Sequence, residues 1–120
     1  MELKGTAKLL RIFFGESDKI KHTPLYEIII KEARVAGLAG ATAWKGVMSY
    51  GKNSRIRTSK ILDLSMDLPI ILEIVDEEEK INKFLPVLHD LFEKSGCGGL
   101  VTLEKVDIIK YTNSSAKQTS

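Results

Sequence analysis

The stretch "PIILEIV", Pro69–Val75, decides the fold of this 120-residue chain. Its side chains alternate between the two faces of a strand. Ile70, Leu72 and Ile74 fall on one face, and Ile71 and Val75 on the other with Glu73, the single charge. A strand apolar on both sides belongs near the centre of a sheet, with cover above and below. Immediately after it, Asp76 and Glu79 have the spacing of a capping box. The helix this opens is expected to run to about Lys94, with the stripe Ile81, Phe84, Leu85, Leu88, Leu91 and Phe92. Pro86 lies inside the stripe and predicts a kink, not an end, because the apolar spacing continues past it.

Working back towards the N-terminus, "AKLLRIFF" (Ala7–Phe14) is a second strongly apolar strand, with only Lys8 and Arg11 polar. Thr23-Pro24 reads as a helix start, Thr as N-cap and Pro at the first position. Leu25, Ile28, Ile29, Ala33 and Ala36 follow at helical spacing, and Gly37 suits a left-handed stop. "ATAWKGVMSY" (Ala41–Tyr50) reads as a strand leading into a loop, within which "KILDL" (Lys60–Leu64) is a candidate short strand. Beyond the long helix, "GCGG" (Gly96–Gly99) turns the chain into a last strand, "LVTLEKVDIIKY" (Leu100–Tyr111). Its apolar phase slips between Leu103 and Val106, which predicts a bulge near Glu104.

The order β-α-β, loop, β-α-β is a duplicated split unit of the ferredoxin-like type. The expected fold is therefore α+β: an antiparallel βαββαβ sheet with two helices on one face. One domain should span residues 1–111, with a disordered polar tail over 112–120. Two helices cover only one face of four strands. The other face carries apolar residues that water would leave poorly stabilised, and self-association is the simplest cover.

Composition narrows the classes of function. Hydrophobic residues make up 43% and charged residues 28%, an ordinary globular balance. Net charge is +2, from 18 basic and 16 acidic residues, too little to imply nucleic acid. No apolar run reaches the length of a membrane span, and the N-terminus lacks the pattern of a signal peptide. One cysteine, Cys97, excludes an internal disulfide and fits a reducing compartment, so a cytoplasmic location is expected.

No constellation of catalytic residues or metal ligands stands out. His22 and His89 are far apart in sequence, and Cys97 reads as a small residue in a tight turn. The acidic run "DEEE" (Asp76–Glu79) is best explained by a helix N-terminus. Two other stretches are more informative. Gly96, Gly98 and Gly99 crowd one turn, where backbone N–H groups can form a nest for an anion. "SYGKNSRIRTSK" (Ser49–Lys60) carries Lys52, Arg55, Arg57 and Lys60 and no acid. It reads as a polar loop, with Asn53–Ser59 expected to be mobile. Arg55 and Arg57 flank Ile56 as on an extended segment, and their guanidinium forks suit phosphate or carboxylate groups.

Taken together, "AKLLRIFFGESDK", "PLYE", "GLAGATAWKGVMSYG", "SRIRTSKIL", "DLPIILEIVDEEEKI" and "GLVTLEKVDIIKY" resemble the PII-like proteins of domain-of-unknown-function family 190. The resemblance covers about residues 4–111. It implies a ferredoxin-like homotrimer that binds an adenine nucleotide (ATP, ADP or AMP) in clefts between neighbouring copies. It also implies that the loop between the second and third strands senses the ligand and contacts a target protein, such as a transporter or an enzyme. In PII proteins the loop base is aromatic-Gly-Arg-Gln. Here Tyr50, Gly51, Lys52 and Asn53 stand in that place. The glycine-rich phosphate turn is matched at Gly96 and Gly98, whereas Gly99 replaces a lysine. Lys110 matches one of two arginines of the last strand, and Ile108 replaces the other. Two missing cations imply weaker polyphosphate binding than in PII, or a smaller or different nucleotide.

The nucleotide site expected from the resemblance is thus Gly51, Lys52, Asn53, Gly96, Gly98, Gly99 and Lys110, with Arg55, Arg57 and Lys60 meeting the partner. The expected role is a non-enzymatic signalling protein with no covalent cofactor and no nucleic-acid ligand. The alternatives are a ferredoxin-like nucleic-acid module and a protein of divalent-cation tolerance. RNA-recognition modules stack bases on aromatic residues of a central strand. "PIILEIV" has none, and no clustered metal ligands favour the cation role.

Overall fold

The computed structural model describes residues 5–46, 48–50, 56–58 and 68–112. Among these described residues, eight strands and two helices follow one another: β1 (Gly5–Gly15), β2 (Lys19–Ile20), β3 (Thr23–Pro24), α1 (Leu25–Val35), β4 (Thr42–Lys45), β5 (Met48–Tyr50), β6 (Ile56–Thr58), β7 (Pro69–Asp76), α2 (Glu78–Ser95) and β8 (Leu100–Ile108). Four of the strands form the main antiparallel sheet in the order β4-β7-β1-β8. The two most apolar strands are therefore central, and the arrangement is ferredoxin-like.

Pairing fixes which residues share a face. Leu10, Ile12 and Phe14 of β1 lie opposite Ile74, Leu72 and Ile70 of β7. All six are buried beneath the helices, against Leu25, Ile29 and Ala33 of α1 and Ile81, Phe84, Leu88 and Leu91 of α2. The helical spacing read from the sequence thus marks the buried stripes. α1 closes with Gly37 at φ +80°, while the Leu38 N–H donates to the Ala33 carbonyl at 3.1 Å. This is the left-handed stop expected there.

Several expectations are corrected. Thr23 does not cap α1: it pairs with Ile20 in a two-strand ribbon, and Pro24 takes the N-cap position without a side-chain hydrogen bond. Asp76 is not part of a capping box. It ends β7 fully buried, and its carboxylate accepts from the Ala39 N–H at 2.8 Å and the Glu77 N–H at 2.7 Å. One side chain thereby ties the α1–β4 connection to the start of α2, which N-caps at Glu77. α2 continues through Pro86 to Ser95 without interruption.

No bulge occurs at Glu104, because the β1–β8 ladder is unbroken from Gly5↔Ile108 to Phe13↔Leu100. The apolar phase slips for another reason. β8 is an edge strand, so Lys105 and Asp107 can occupy helix-side positions and still reach water. It also ends at Ile108, short of Tyr111.

The strand read as Ala41–Tyr50 breaks at Gly46. β4 stays in the main sheet, while β5 forms a separate ribbon with β6 (Met48↔Thr58, Tyr50↔Ile56). Ile56–Thr58 is therefore paired strand within the segment read as loop, and residues 53–55 and 59 lie outside the described residues. The strand expected at Lys60–Leu64, and the tail from residue 113, lie outside the described residues.

Candidate functional site

The three glycines after α2 are required by three different circumstances. Gly96 adopts φ +69° and donates its N–H to the Phe92 carbonyl at 3.0 Å, closing the helix. Ser95 Oγ also donates to that carbonyl at 3.0 Å and accepts from the Cys97 N–H at 3.1 Å. The amides of residues 96 and 97 are thus committed within the turn. At Gly99 a Cβ would meet the Phe92 ring at 2.7 Å and the Phe13 carbonyl oxygen at 2.8 Å. Gly99 is there for close packing of α2 on β1. Gly98 faces open space, where a Cβ would meet nothing within 4 Å. Gly96 also faces open space, but its N–H is committed to the helix end, so Gly98 is the better placed of the two for an anion.

Beside this turn, a cavity of about 340 Å³ opens between α2 and the start of β8. Leu85, Leu88, Phe92 and Val101 form its apolar walls, and His89 and Cys97 bring polar atoms to it. Its size falls within the range of small-molecule pockets. The Phe92 ring is held edge-on against Phe14, with centroids 5.9 Å apart.

The same end of the sheet carries the root of the long excursion between β4 and β7. The Gly46 N–H donates to the Pro69 carbonyl at 2.7 Å, and the Glu16 N–H to the Leu68 carbonyl at 2.8 Å. A Cβ on Gly46 would lie 2.6 Å from the Pro69 ring, so the residue is glycine for want of room. Lys45 Nζ binds Glu16 Oε2 at 2.8 Å. That hydrogen bond and the carboxylate charge raise the lysine's pKa above its ordinary value of 10.5. Both ends of the excursion are therefore pinned next to β1.

Of the site residues expected from sequence, Gly51, Lys52, Asn53, Arg55 and Lys60 lie outside the described residues. Arg57 sits in β6 opposite Ser49. Gly96, Gly98 and Gly99 share the end of the sheet that holds the excursion root, since Leu100 pairs with Phe13 while Gly15 pairs with Pro69. Lys110 does not join them. It follows the far end of β8, and the strand's rise of roughly 3.3 Å per residue separates Leu100 from Ile108 by about 26 Å. Tyr111 continues away from the glycine turn and donates its hydroxyl to the Ala39 carbonyl at 2.9 Å. A single copy cannot bring Lys110 to the glycine turn.

A further set of residues was not singled out as a site from sequence. On the helix-free face, Glu73 Oε1 accepts from Trp44 Nε1 at 3.1 Å, and its Oε2 accepts from Arg11 Nε at 2.7 Å. Arg11 Nη1 also donates to Glu104 Oε1 at 3.1 Å. The hydrogen bond to Glu73 is the main reason that the Arg11 pKa is raised. Arg11 and Glu73 do stand out in their runs as isolated charges. The signal that would have joined them is the strand register, which composition does not carry.

Over residues 7–108 the chain matches the model of the DUF190 family, described as "Uncharacterized ACR". It is 41% identical over 102 residues to a UPF0166 protein of Aquifex aeolicus, covering 85% of this chain and 92% of that one. It is 39% identical over 90 residues to a UPF0166 protein of Methanocaldococcus jannaschii, covering 75% and 82%. Among solved structures, CPII from Thiomonas intermedia, a nitrogen regulatory PII-like protein bound to ADP, AMP and bicarbonate, aligns with a TM-score of 0.67 at 18% identity. That alignment covers 88% of this chain and 90% of CPII. A PII-like signalling-class protein from Thermus thermophilus aligns with a TM-score of 0.63 at 21% identity, covering 91% and 94%. At these identities the likeness shows a PII-like fold.

Proposed function

The chain belongs to the DUF190 family, and from that premise we propose that it is a cytoplasmic, non-enzymatic signalling module controlled by an adenine nucleotide (ATP, ADP or AMP). The nucleotide binds in clefts between the copies of a homotrimer. One copy supplies the glycine turn and the root of the excursion, and its neighbour supplies Lys110. The excursion, residues 47–67, then reports the bound state to a partner protein. The observation that carries this reading is the separation within one copy: the glycine turn and loop root share one end of the sheet, while Lys110 follows the opposite end. Nucleotide-bound CPII, which has the same fold, supports the class of ligand.

The turn geometry narrows how phosphate is met. Gly98 faces open space, Gly96 closes the helix, and Gly99 holds α2 to the sheet. Lys52, by the resemblance to the PII loop motif, supplies a cation to the phosphates. Arg55 and Arg57 meet the partner, although Arg57 is level with Ser49 in the β5–β6 ribbon and so is not farther from the root than Lys52, contrary to what the sequence order suggests. A ligand shifts the loop only through its differential affinity for the ordered state.

Isothermal calorimetry with ATP, ADP and AMP, on protein whose mass is measured by light scattering, tests the reading. Light scattering is expected to give about three chain masses. Lys52→Ala is expected to weaken nucleotide binding by roughly 1.5–3 kcal/mol, the scale of a charge-assisted hydrogen bond. Arg55→Ala combined with Arg57→Ala should leave that affinity within about threefold while partner capture is lost. Nucleotide affinity governed by Arg55 and Arg57 and indifferent to Lys52 would reverse the assignment of roles.

A further inference from the structure

Trp44 is the single tryptophan of the chain, and it is 55% exposed. It lies on β4, two residues before Gly46, where the excursion is rooted. The register sets it in a row with Ile71, Phe13 and Leu100, one position from each strand of the main sheet, on the face away from the helices. That row carries no charge. Leu100, at its other end, directly follows Gly98 and Gly99. The row therefore borders the end of the sheet that holds both the glycine turn and the excursion root.

The indole is oriented from within the chain. Its Nε1–H donates to Glu73 Oε1 at 3.1 Å, and Arg11 Nε holds the other oxygen of Glu73 at 2.7 Å. The polar edge of the ring is thereby satisfied, as a tryptophan N–H requires. Among the described residues no other ring packs against it. A fixed, exposed aromatic surface beside a candidate ligand site is suited to stacking on another flat ring.

Charge decides which part of a nucleotide can use that surface. The neighbouring positions on the same face hold Glu73, Arg11 and Glu104, two carboxylates to one guanidinium. A net negative field disfavours phosphate. A neutral base meets no such opposition, and every base has a π-face that an aromatic side chain can accept. With the base on Trp44, the phosphates turn away from the carboxylates, towards the end of the sheet where the glycine turn and loop root lie.

We propose that Trp44 is the platform on which the base of the bound nucleotide stacks. This rests on the nucleotide reading above and adds to it the residue that meets the base.

Tryptophan emission and calorimetry of the full chain with adenosine, AMP, ADP and ATP test this, with light scattering as the check on mass. A base stacked on the single tryptophan should quench its emission, and pyrophosphate, which has no base, should not. Trp44→Ala should weaken AMP, ADP and ATP by the same factor, about fivefold or more, the low end of what a base–aromatic stack contributes. Trp44→Phe keeps a ring and should recover part of that loss. Nucleotide binding that leaves the emission unchanged, with equal affinity in Trp44→Ala, overturns the stack and leaves the nucleotide site standing. A loss confined to ATP, with AMP unaffected, also overturns it, because the residue then acts on the phosphates. Emission that follows protein dilution and not the ligand, with a lower mass for Trp44→Ala, overturns it in favour of a contact between copies. If no nucleotide binds the wild type, the site and the stack fall together.

Discussion

β7 presents two different surfaces from one strand. Towards the helices, Ile70, Leu72 and Ile74 are 4%, 0% and 0% exposed. Away from them, Ile71, Glu73 and Val75 are half-buried, and Glu73 is held by Trp44 and Arg11. The first surface is completed by the chain's own helices and so determines whether one copy folds. The second is apolar with one charged row, and the chain's own helices leave it uncovered. The division of labour follows from a period of two residues along a single strand.

The largest test of the comparison exchanges one residue on each surface. Leu72→Ala removes fully buried atoms in contact with the helix layer and should cost about 2–5 kcal/mol of unfolding free energy. Val75→Ala removes atoms already partly in water and should cost much less in the free copy, while weakening association. Denaturant unfolding, run beside light scattering, separates the two. Equal losses of folding stability would mean that the helix-free face is as much core as the other.

Much of the fold was legible because it depends on periodicity. The two-sided strand at Pro69–Val75, the stripes of both helices and the stop at Gly37 are local patterns. They gave the ferredoxin-like order and the central position of β1 and β7. The errors occurred where a side chain has two possible partners. Asp76 has the spacing of a cap but spends its carboxylate on Ala39, a partner distant in sequence. The apolar slip in β8 mimics a bulge, because an edge strand tolerates Lys105 and Asp107 on its inner face. Gly46 looks like one residue of a strand, yet a Cβ there would collide with Pro69. The site was legible as a glycine-rich turn and a cationic stretch. The separate jobs of Gly96, Gly98 and Gly99 depend on φ and on Phe92, which spacing does not reveal.

A smaller effect sharpens the boundary between the two surfaces at the glycine turn. Gly99→Ala would push a methyl group against the Phe92 ring and the Phe13 carbonyl oxygen. Such overpacking should cost about 1–3 kcal/mol. Gly98→Ala meets open space, so its effect on folding should stay within about 0.5 kcal/mol. Calorimetry should instead show weaker nucleotide binding for Gly98→Ala. If Gly99→Ala folds as well as Gly98→Ala, the turn is looser than the contacts of Phe92 imply.

The smallest effect comes from two neighbours on β4, which make polar contacts of different character on the two surfaces. Trp44 points to the charged row, whereas Lys45 binds Glu16 beside the loop root. Lys45 is 54% exposed and Glu16 34%, so their pair stays in water and salt should screen it. The sign of its pH dependence is fixed by the raised pKa of Lys45. The contribution is fully present below the ordinary value of 10.5 and is lost as pH rises through the higher value in the folded protein. Thermal midpoints of wild type and Glu16→Gln should therefore differ slightly by a constant amount at neutral pH and converge in strong alkali. Added salt should shrink the difference at any pH. The Arg11–Glu73 contact should respond less to salt in the assembled protein if a neighbouring copy covers the helix-free face. Equal salt sensitivity of the two pairs in the assembled protein would mean that the helix-free face remains wet, and the two surfaces of β7 would then differ only in degree.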